Sequence, residues 1–345
     1  MMGQQIFKQS VGLDISKDTF VACFSQCQAG KSFRILSSKT FKCSTRAFEQ
    51  FHHWVQKQRH ASAPLQLLME ATGVYYEQLA YFLYAKGYRL TVLLPNKTAA
   101  FAKSLDYKSK TDAVDAQMLA QLSLERDLPQ WIPLSNAMLT IKHLCRERAE
   151  IIDTQIVFKN RLHAKQHAYQ PLKASFQRTD KVLVLLKKQI DAIDLALLDA
   201  IKQDDLLYQK VQNACSIPGV GFSTVANILA ETNAFALFKS KAQLVSYAGY
   251  DVVKNQSGTS LNSPTKISKK GNHRIRKALH FPALVAVKAN PKMKSLFMRV
   301  FDKSKIKMKA YVAVQRKLLV LIFATFKNNQ PYDPNYISIK PNQPE

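Results

Sequence analysis

The sequence predicts an α/β protein in three segments and a tail. Residues 1–130 are predicted to form a mixed-sheet domain, 131–210 a long helical arm, 211–330 a mostly α, basic domain, and 331–345 a flexible polar tail. Three observations support this division. Strand-like and helix-like patterns take turns through the first segment, residues 135–210 contain no glycine, and basic residues gather near the carboxyl end. A length of 345 residues also fits two or three domains.

The first segment alternates between the two kinds of pattern. Five stretches show the alternation or short apolar run of a β-strand: 10–15, 19–24, 32–41, 65–69 and 88–94. Three show helical periodicity: 45–59, 75–85 and 110–124. Ser44 or Thr45 can cap the first of these helices, and Thr111 the last. The order β-β-β-α-β-α-β-α predicts a mixed sheet with helices on its faces.

The second segment shows a purely helical pattern. Apolar residues recur at three- and four-residue steps on both sides of residues 169–173, which predicts two long helices joined there. Apolar stripes flanked by charge favour pairing, either with each other as a hairpin or with a second subunit as a coiled coil. The pattern leaves both arrangements open. We expect a homo-oligomer, a dimer or a tetramer.

The charge of the chain points to a polyanionic partner. The chain has 50 Lys and Arg against 24 Asp and Glu, a net charge of +26. Residues 211–345 carry 21 of the basic residues and only 5 of the acidic ones. Such an excess suits a partner made of phosphates, because each Lys or Arg at a phosphate releases a condensed counterion. A small-molecule enzyme has no need of it.

Other protein classes are excluded by simple features. No apolar run reaches the ~18 residues of a membrane span, so no membrane partner is expected. Five cysteines are too few, and odd in number, for a disulfide scaffold. We therefore expect a protein of the bacterial cytoplasm, associated with the nucleoid.

Four acidic residues have positions that suggest chemistry. Asp14 lies in the first predicted strand, in VGLDIS, and Glu70 ends a buried strand, in LLMEATG. Asp112 and Asp115 lie three apart in KTDAVDA at a helix start, so they share one face. The acids of the helix start could simply favour its N-terminus, but an acid inside an apolar strand is costly unless it has a function. Together they predict a site for Mg²⁺, with Mn²⁺ as a substitute, and metal-assisted phosphoryl transfer.

A basic cluster follows in the C-terminal domain. Its members lie in a predicted loop and at the start of an apolar helix: Lys266, Lys269, Lys270, Arg274, Arg276 and Lys277. These side chains are predicted to bind nucleic-acid phosphates. The alternative interpretation is a solvated basic surface.

Four motifs in order resemble one known family. VGLDIS, MEATGVYY, KTDAVDA and SIPGVG are similar to motifs of the DEDD transposases of the insertion sequence 110 family, which are related to the Piv-type DNA invertases. The resemblance covers nearly the whole chain. It implies an RNase H-like, resolvase-like N-terminal domain whose four metal-binding acids are Asp14, Glu70, Asp112 and Asp115. It also implies a DNA transposase or recombinase of a mobile element, guided by an element-encoded structured RNA.

The same resemblance implies a nucleophile in the basic domain. In the family, a serine before a glycine acts in strand exchange through a covalent serine–DNA link, and Ser257 with Gly258 is the matching pair. Ser260 is a neighbour that could be mistaken for it. Two alternatives remain open. One is a resolvase-type nuclease that uses the four acids with water as the nucleophile, and the other is a basic nucleic-acid-binding protein without catalysis.

Overall fold

The computed structural model describes residues 6–28, 33–105, 111–253, 256–257, 261–262 and 265–336, the two short pairs by their backbone alone. The chain divides into two compact units, 1–133 and 134–345. The first holds the acidic motifs, and the second holds the two long helices together with the basic segment.

The first unit is built on a five-stranded mixed sheet. Its strands are β1 (Ile6–Ile15), β2 (Thr19–Gln28), β3 (Arg34–Lys42), β4 (Leu65–Glu70) and β5 (Arg89–Leu93). They lie in the order β3-β2-β1-β4-β5, with β2 antiparallel to both of its neighbours and β4 parallel to β1 and to β5. This order, with the second strand alone reversed, is the RNase H-like arrangement. The predicted fold class is confirmed.

Helices cover both faces of this sheet. They are α1 (Thr45–Gln58), α2 (Tyr76–Ala85), α3 (Pro95–Ala102) and α4 (Asp112–Glu125). Leu67 and Met69 of β4 belong to the core shared with α1 and α2, whereas Leu68 belongs to the core shared with α3 and α4. Adjacent residues of a strand point to opposite faces, so a continuous apolar run marks a strand that is covered on both sides.

Most elements of this unit match their predicted positions, and one was not anticipated. Ser44 caps α1 by accepting a hydrogen bond from Ala47 N, and Thr111 caps α4 by accepting one from Val114 N. The helix α3 was missed. Pro95 ends β5 as predicted, but it also occupies the first turn of α3, where a missing N–H is harmless and the fixed φ is already helical.

The two long helices of the second unit pair with each other within one chain. They are α5 (Asn136–Gln166) and α6 (Lys173–Lys202). Arg148 bonds Asp194 through both guanidinium nitrogens, at 2.6 and 3.1 Å. Farther along, Lys165 Nζ lies 2.9 Å from Ser175 Oγ. Because residues late in α5 meet residues early in α6, the pair is an antiparallel hairpin, one of the two arrangements that the pattern allowed.

The rest of the second unit is helical apart from short strand pairs. Its helices are α7 (Asp205–Cys215), α8 (Phe222–Thr232), α9 (Lys241–Tyr247), α10 (His273–Ala278), α11 (His280–Ala289), α12 (Pro291–Ser304) and α13 (Lys307–Asn328). One apolar core joins α13 to α7, α8 and α11 and to the ends of the hairpin nearest to them, for example through Leu318, Val211 and Leu197. In the part of the chain that the structure describes, no helix is long and apolar enough to cross a membrane.

The short strands form two nested antiparallel pairs. They are β6 (Val252–Val253), β7 (Gln256–Ser257), β8 (Leu261–Asn262) and β9 (Lys266–Ile267). The first pairs with the fourth, and the second with the third. Both pairs lie between α9 and α10 in the chain. We call these four short strands the serine ribbon.

Candidate active site

Two of the four acids stand side by side at one edge of the sheet. Asp14 is the next-to-last residue of β1, and Glu70 is the last residue of β4. The two strands are parallel neighbours, and the residues before the acids, Leu13 and Met69, are paired. Equivalent positions on adjacent parallel strands put both carboxylates on the same face of the sheet. The strand register therefore places the two acids next to each other without any contribution from a loop.

Gly12 lets α4 bring the other two acids to this face. A Cβ at Gly12 would lie 1.9 Å from the backbone oxygen of Ala116 and 2.4 Å from the backbone nitrogen of Ala120. Both alanines are fully buried. The helix thus lies directly on the backbone of β1, two residues before Asp14, and only a glycine permits this approach.

Asp112 and Asp115 both lie in the first turn of α4. Thr111 stabilises this helix start by accepting a hydrogen bond from Val114 N. The cap therefore fixes the helix start that carries Asp112 and Asp115. Asp112 is exposed and Asp115 is half-buried. Acids in a first turn also interact favourably with the positive end of the helix, which lowers the cost of gathering negative charge here.

The electrostatics of Asp14 show that the four acids form one cluster. The pKa of Asp14 is raised to about 6, first by burial and then by the charges of Asp115, Asp112 and Glu70, in that order. Each of the three other carboxylates is therefore close enough to penalise the charge on Asp14. The four side chains therefore gather negative charge in one place, next to Asp14.

Glu70 has a partner that sequence reasoning missed. The fully buried Thr98 of α3 donates a hydrogen bond from its hydroxyl to Glu70 Oε2. This contact orients the carboxylate at the end of β4. A proline directly after the predicted strand 88–94 was the available signal, since proline is favoured in the first turn of a helix.

The donor chemistry of this cluster fits a divalent cation. Carboxylate oxygens are the ligands that hard ions such as Mg²⁺ prefer. Within the described ranges, no group of three or more His, Cys, Asp or Glu side chains is already arranged to hold a metal ion. The acids are therefore near enough to repel one another without forming a finished coordination shell. A bound cation would relieve the repulsion that raises the pKa of Asp14.

Ser257, the nucleophile that the family resemblance implies, lies in the serine ribbon. It is the last residue of β7 and pairs with Leu261 of β8. Its backbone therefore belongs to the inner of the two nested strand pairs. Ser260, the alternative serine, lies outside the described residues. The choice between the two serines remains a prediction.

The structure separates the six predicted phosphate-binding residues into two groups. Lys266, Lys269 and Lys270 are exposed at the end of the serine ribbon and just after it. Arg276, in contrast, points its guanidinium at two backbone oxygens, with Nη1 2.7 Å from Ala248 O and Nη2 3.3 Å from Lys269 O. The three lysines are therefore the members most available to a phosphate.

Arg274 and Lys277 also have partners within the unit. Arg274 Nε lies 3.8 Å from Glu231 Oε1. Lys277 Nζ lies 2.5 Å from Asp153 Oδ1, in an ion pair whose two side chains are more than half exposed. An exposed pair of this kind contributes little to stability and can exchange its partner for a phosphate. Binding of nucleic acid by these residues remains a prediction.

Comparison with known proteins gives concordant matches along both units. The DEDD transposase family of IS110 matches residues 11–171, and the transposase IS116/IS110/IS902 family matches residues 211–298. The pilin gene-inverting protein of Moraxella bovis is 29% identical over 327 residues, which cover 94% of this chain and 98% of the relative. The pilin gene-inverting protein of Moraxella lacunata has the same identity and coverage.

Solved structures resemble this chain only loosely. The structure of Thermus thermophilus RuvC aligns with 33% of this chain and 91% of its own, with 12% identity and a TM-score of 0.26. The RNase H-like assignment therefore stands on the strand order and directions described above. The DEDD match over residues 11–171 implies a divalent metal cation.

Proposed function

The chain belongs to the IS110 family of transposases and is a DNA transposase or site-specific recombinase, and from this premise we propose that it exchanges DNA strands through a covalent serine–DNA intermediate. The observation that carries the proposal is the placement of Asp14 and Glu70 at the ends of adjacent parallel strands, with Asp115 and Asp112 near enough to help raise the pKa of Asp14. Four carboxylates gathered on the RNase H-like sheet are suited to binding metal beside a scissile phosphate.

In this proposal Asp14, Glu70, Asp112 and Asp115 hold Mg²⁺, and Mn²⁺ substitutes for it. The cation supplies charge stabilisation to a phosphate that is under attack. The residues of the chain keep the four oxygen donors in place. Gly12 lets α4 approach β1, Thr111 sets the start of α4, and Thr98 orients the Glu70 carboxylate.

Ser257 serves as the nucleophile. Its hydroxyl oxygen bonds to the phosphorus of the scissile phosphate and gives up its proton, while the bond from phosphorus to one sugar oxygen breaks and that oxygen takes up a proton. The product is a phosphoserine diester and a free DNA hydroxyl. A hydroxyl of the exchanged strand then attacks the diester and restores the serine, so the phosphodiester energy is conserved without ATP.

Lys266, Lys269 and Lys270 bind DNA phosphates next to the serine ribbon in this proposal. Their exposure and their position just before α10 support that role. Because the relatives are named for inverting a pilin gene, inversion is one reaction that this chain is proposed to perform, besides insertion and excision.

We also propose a structured guide RNA, encoded by the element, and assembly as a dimer or tetramer. The surplus of basic residues supports a second polyanion besides DNA. Exposed apolar side chains on the hairpin, among them Ile156, Val184 and Leu185, support contact with another copy. Sequencing of the RNA that copurifies with the protein tests the first point, since reads mapping to the flank of its own gene are expected. Light scattering of the purified protein tests the second, and a monomer would contradict it.

The central test distinguishes Ser257 from water as the nucleophile. Substrates carrying both element ends are incubated with Mg²⁺ and the wild type, Ser257→Ala or Asp14→Asn, and protein–DNA adducts are resolved under denaturing conditions. We expect adducts and joined products from the wild type alone. The exposed Ser295 of α12 gives a control, Ser295→Ala, which should behave as wild type.

Three results would contradict the proposal. Cleavage by Ser257→Ala that leaves free ends would indicate a nuclease with water as the nucleophile. Normal strand exchange by Asp14→Asn and by Glu70→Gln would make the acids structural. Mass spectrometry of a digested adduct names the linked residue directly, and a link to Ser260 would overturn the assignment of Ser257.

A further inference from the structure

Glu231 is a buried carboxylate with an unusual number of partners. Its side chain is 7% exposed, and it lies on α8. Arg146 of α5 binds both of its oxygens, with Nε 3.1 Å from Oε1 and Nη2 3.4 Å from Oε2. Asn272 donates a further hydrogen bond from Nδ2 to Oε2, at 2.7 Å. Burial raises the pKa of Glu231, but the hydrogen bonds from Arg146 and Asn272 outweigh it, so the net shift is downward and the group stays charged.

Both ends of the serine ribbon meet at Glu231. Tyr247, the last residue of α9, lies before the ribbon and donates its hydroxyl hydrogen to the backbone oxygen of Glu231, at 3.1 Å. Asn272 lies after the ribbon and binds the side chain of the same residue. The two ends are also bonded to each other, since Asn272 N lies 2.7 Å from Tyr247 O. One residue of α8 thus anchors the point of departure and the point of return.

The two ends of the ribbon are held together by close backbone contacts. A Cβ at Gly271 would lie 2.3 Å from Tyr247 O. Lys269 N donates to Gly249 O at 3.2 Å, and Ser268 N donates to Asp251 O at 2.8 Å. The residues just before β6 and just after β9 are therefore bonded to each other where the ribbon meets the helical core.

We propose that Glu231, acting through Asn272, is a positioning residue for strand exchange that orients the serine ribbon. This inference rests on the proposed role of Ser257. Glu231 touches no reacting group in it. Its carboxylate sets the direction in which the ribbon leaves the helical core, and with it the approach of the Ser257 backbone to DNA.

Asn272 allows this link to be cut without removing the helix cap. Its Oδ1 accepts hydrogen bonds from Arg274 N at 2.9 Å and from Ile275 N at 3.2 Å, which cap α10. Asn272→Asp keeps an oxygen for both bonds, because Asp is an equally good cap. It loses the donor toward Glu231 and places two carboxylates against each other. The substitution therefore separates positioning from capping.

The chain offers a matched control and a rescue. Asn290 caps α12 in the same way, accepting from Lys292 N and Met293 N, and its Nδ2 contacts Tyr332 Oη. Asn290→Asp keeps its cap and can accept a hydrogen bond from Tyr332. In the double variant Glu231→Gln with Asn272→Asp, the donor and the acceptor exchange places. The hydrogen bond and the net charge of the wild-type pair are therefore both retained.

The experiment measures single-turnover formation of the serine–DNA adduct, the DNA dissociation constant and the thermal midpoint for each variant. A misplacement of about 1 Å costs on the order of 10²-fold in rate, so we expect Asn272→Asp to slow adduct formation by roughly 10- to 100-fold. DNA affinity should stay within about threefold, because none of the predicted phosphate-binding lysines is replaced. Asn290→Asp should match the wild type, and the double variant should recover most of the rate.

Three results would overturn the inference. They are an Asn272→Asp variant as fast as Asn290→Asp, a loss of rate no larger than the loss of folded protein, and a double variant no faster than Asn272→Asp alone. Ser257→Ala tests the proposed function separately. If Ser257→Ala is inactive while Asn272→Asp is fully active, only the positioning role fails. If Ser257→Ala still forms the adduct, the proposed function fails and this inference falls with it.

Discussion

Replacement of Gly12 by alanine tests how the acidic cluster is assembled. The new Cβ would stand 1.9 Å from Ala116 O, whereas ordinary contacts begin at 3.4 Å, so α4 must move by about 1.5 Å. The obstacle is backbone, and truncation of a side chain cannot relieve it. We expect a loss of about 1–3 kcal/mol in the free energy of unfolding. Displacement of Asp112 and Asp115 should lower strand exchange by on the order of 10²-fold.

The diagnostic measurement for Gly12→Ala is the titration of Asp14 followed by NMR without metal. The nearby charges of Asp115 and Asp112 help to raise the pKa of Asp14 to about 6, so movement of α4 should return this pKa toward 3.8. Gly221→Ala is the control, since nothing lies within 4 Å of a Cβ at that position. An unchanged Asp14 titration, together with normal stability and activity, would refute the packing argument.

Three further predictions concern the metal site and the basic segment. The folded-state pKa of Asp14 lies above its ordinary value, so its ionisation should destabilise the metal-free protein as pH rises from 3.8 through about 6. Asp14→Asn should therefore raise the melting temperature at pH 7.5 without metal. An equal or lower melting temperature would contradict this. Thr98→Val should weaken Mg²⁺ binding, measured by calorimetry, by roughly 10- to 100-fold through loss of the bond to Glu70, and unchanged affinity would make that bond incidental. Lys270→Ala should lower the salt dependence of DNA binding by about one counterion without changing the melting temperature, because Lys270 is exposed. Arg276→Lys should instead destabilise the fold by about 1–3 kcal/mol, because it loses a bond to a backbone oxygen. The opposite result would make Lys270 structural and Arg276 a phosphate-binding residue.

Local signals were sufficient for much of the first unit. Alternation and caps predict the strands and most helices within a few residues, because those patterns depend on neighbours along the chain. The cap Thr111, for example, is read from a threonine directly before an acidic helix start. The helix α3 was missed because one proline can both end a strand and begin a helix.

The second unit shows where local signals fail. Arg274, Arg276 and Lys277 look alike in the sequence, yet Arg276 bonds two backbone oxygens and Lys277 pairs with Asp153. A positive charge in the sequence does not reveal whether its partner is solvent, a phosphate or the chain itself. That choice depends on residues far away in the sequence, such as the one at position 153.

The sequence by itself determined the chemistry available to this protein: four acids in strand and helix contexts, a strongly basic carboxyl-terminal half, and motifs of one transposase family. Tertiary structure alone decided which groups act on one another. Gly12 places α4 on β1 and so couples the acids to Asp14, and Glu231 joins the two ends of the serine ribbon. The physical reason is that burial and electrostatic coupling depend on distances in space, and those distances are set only when the elements pack together.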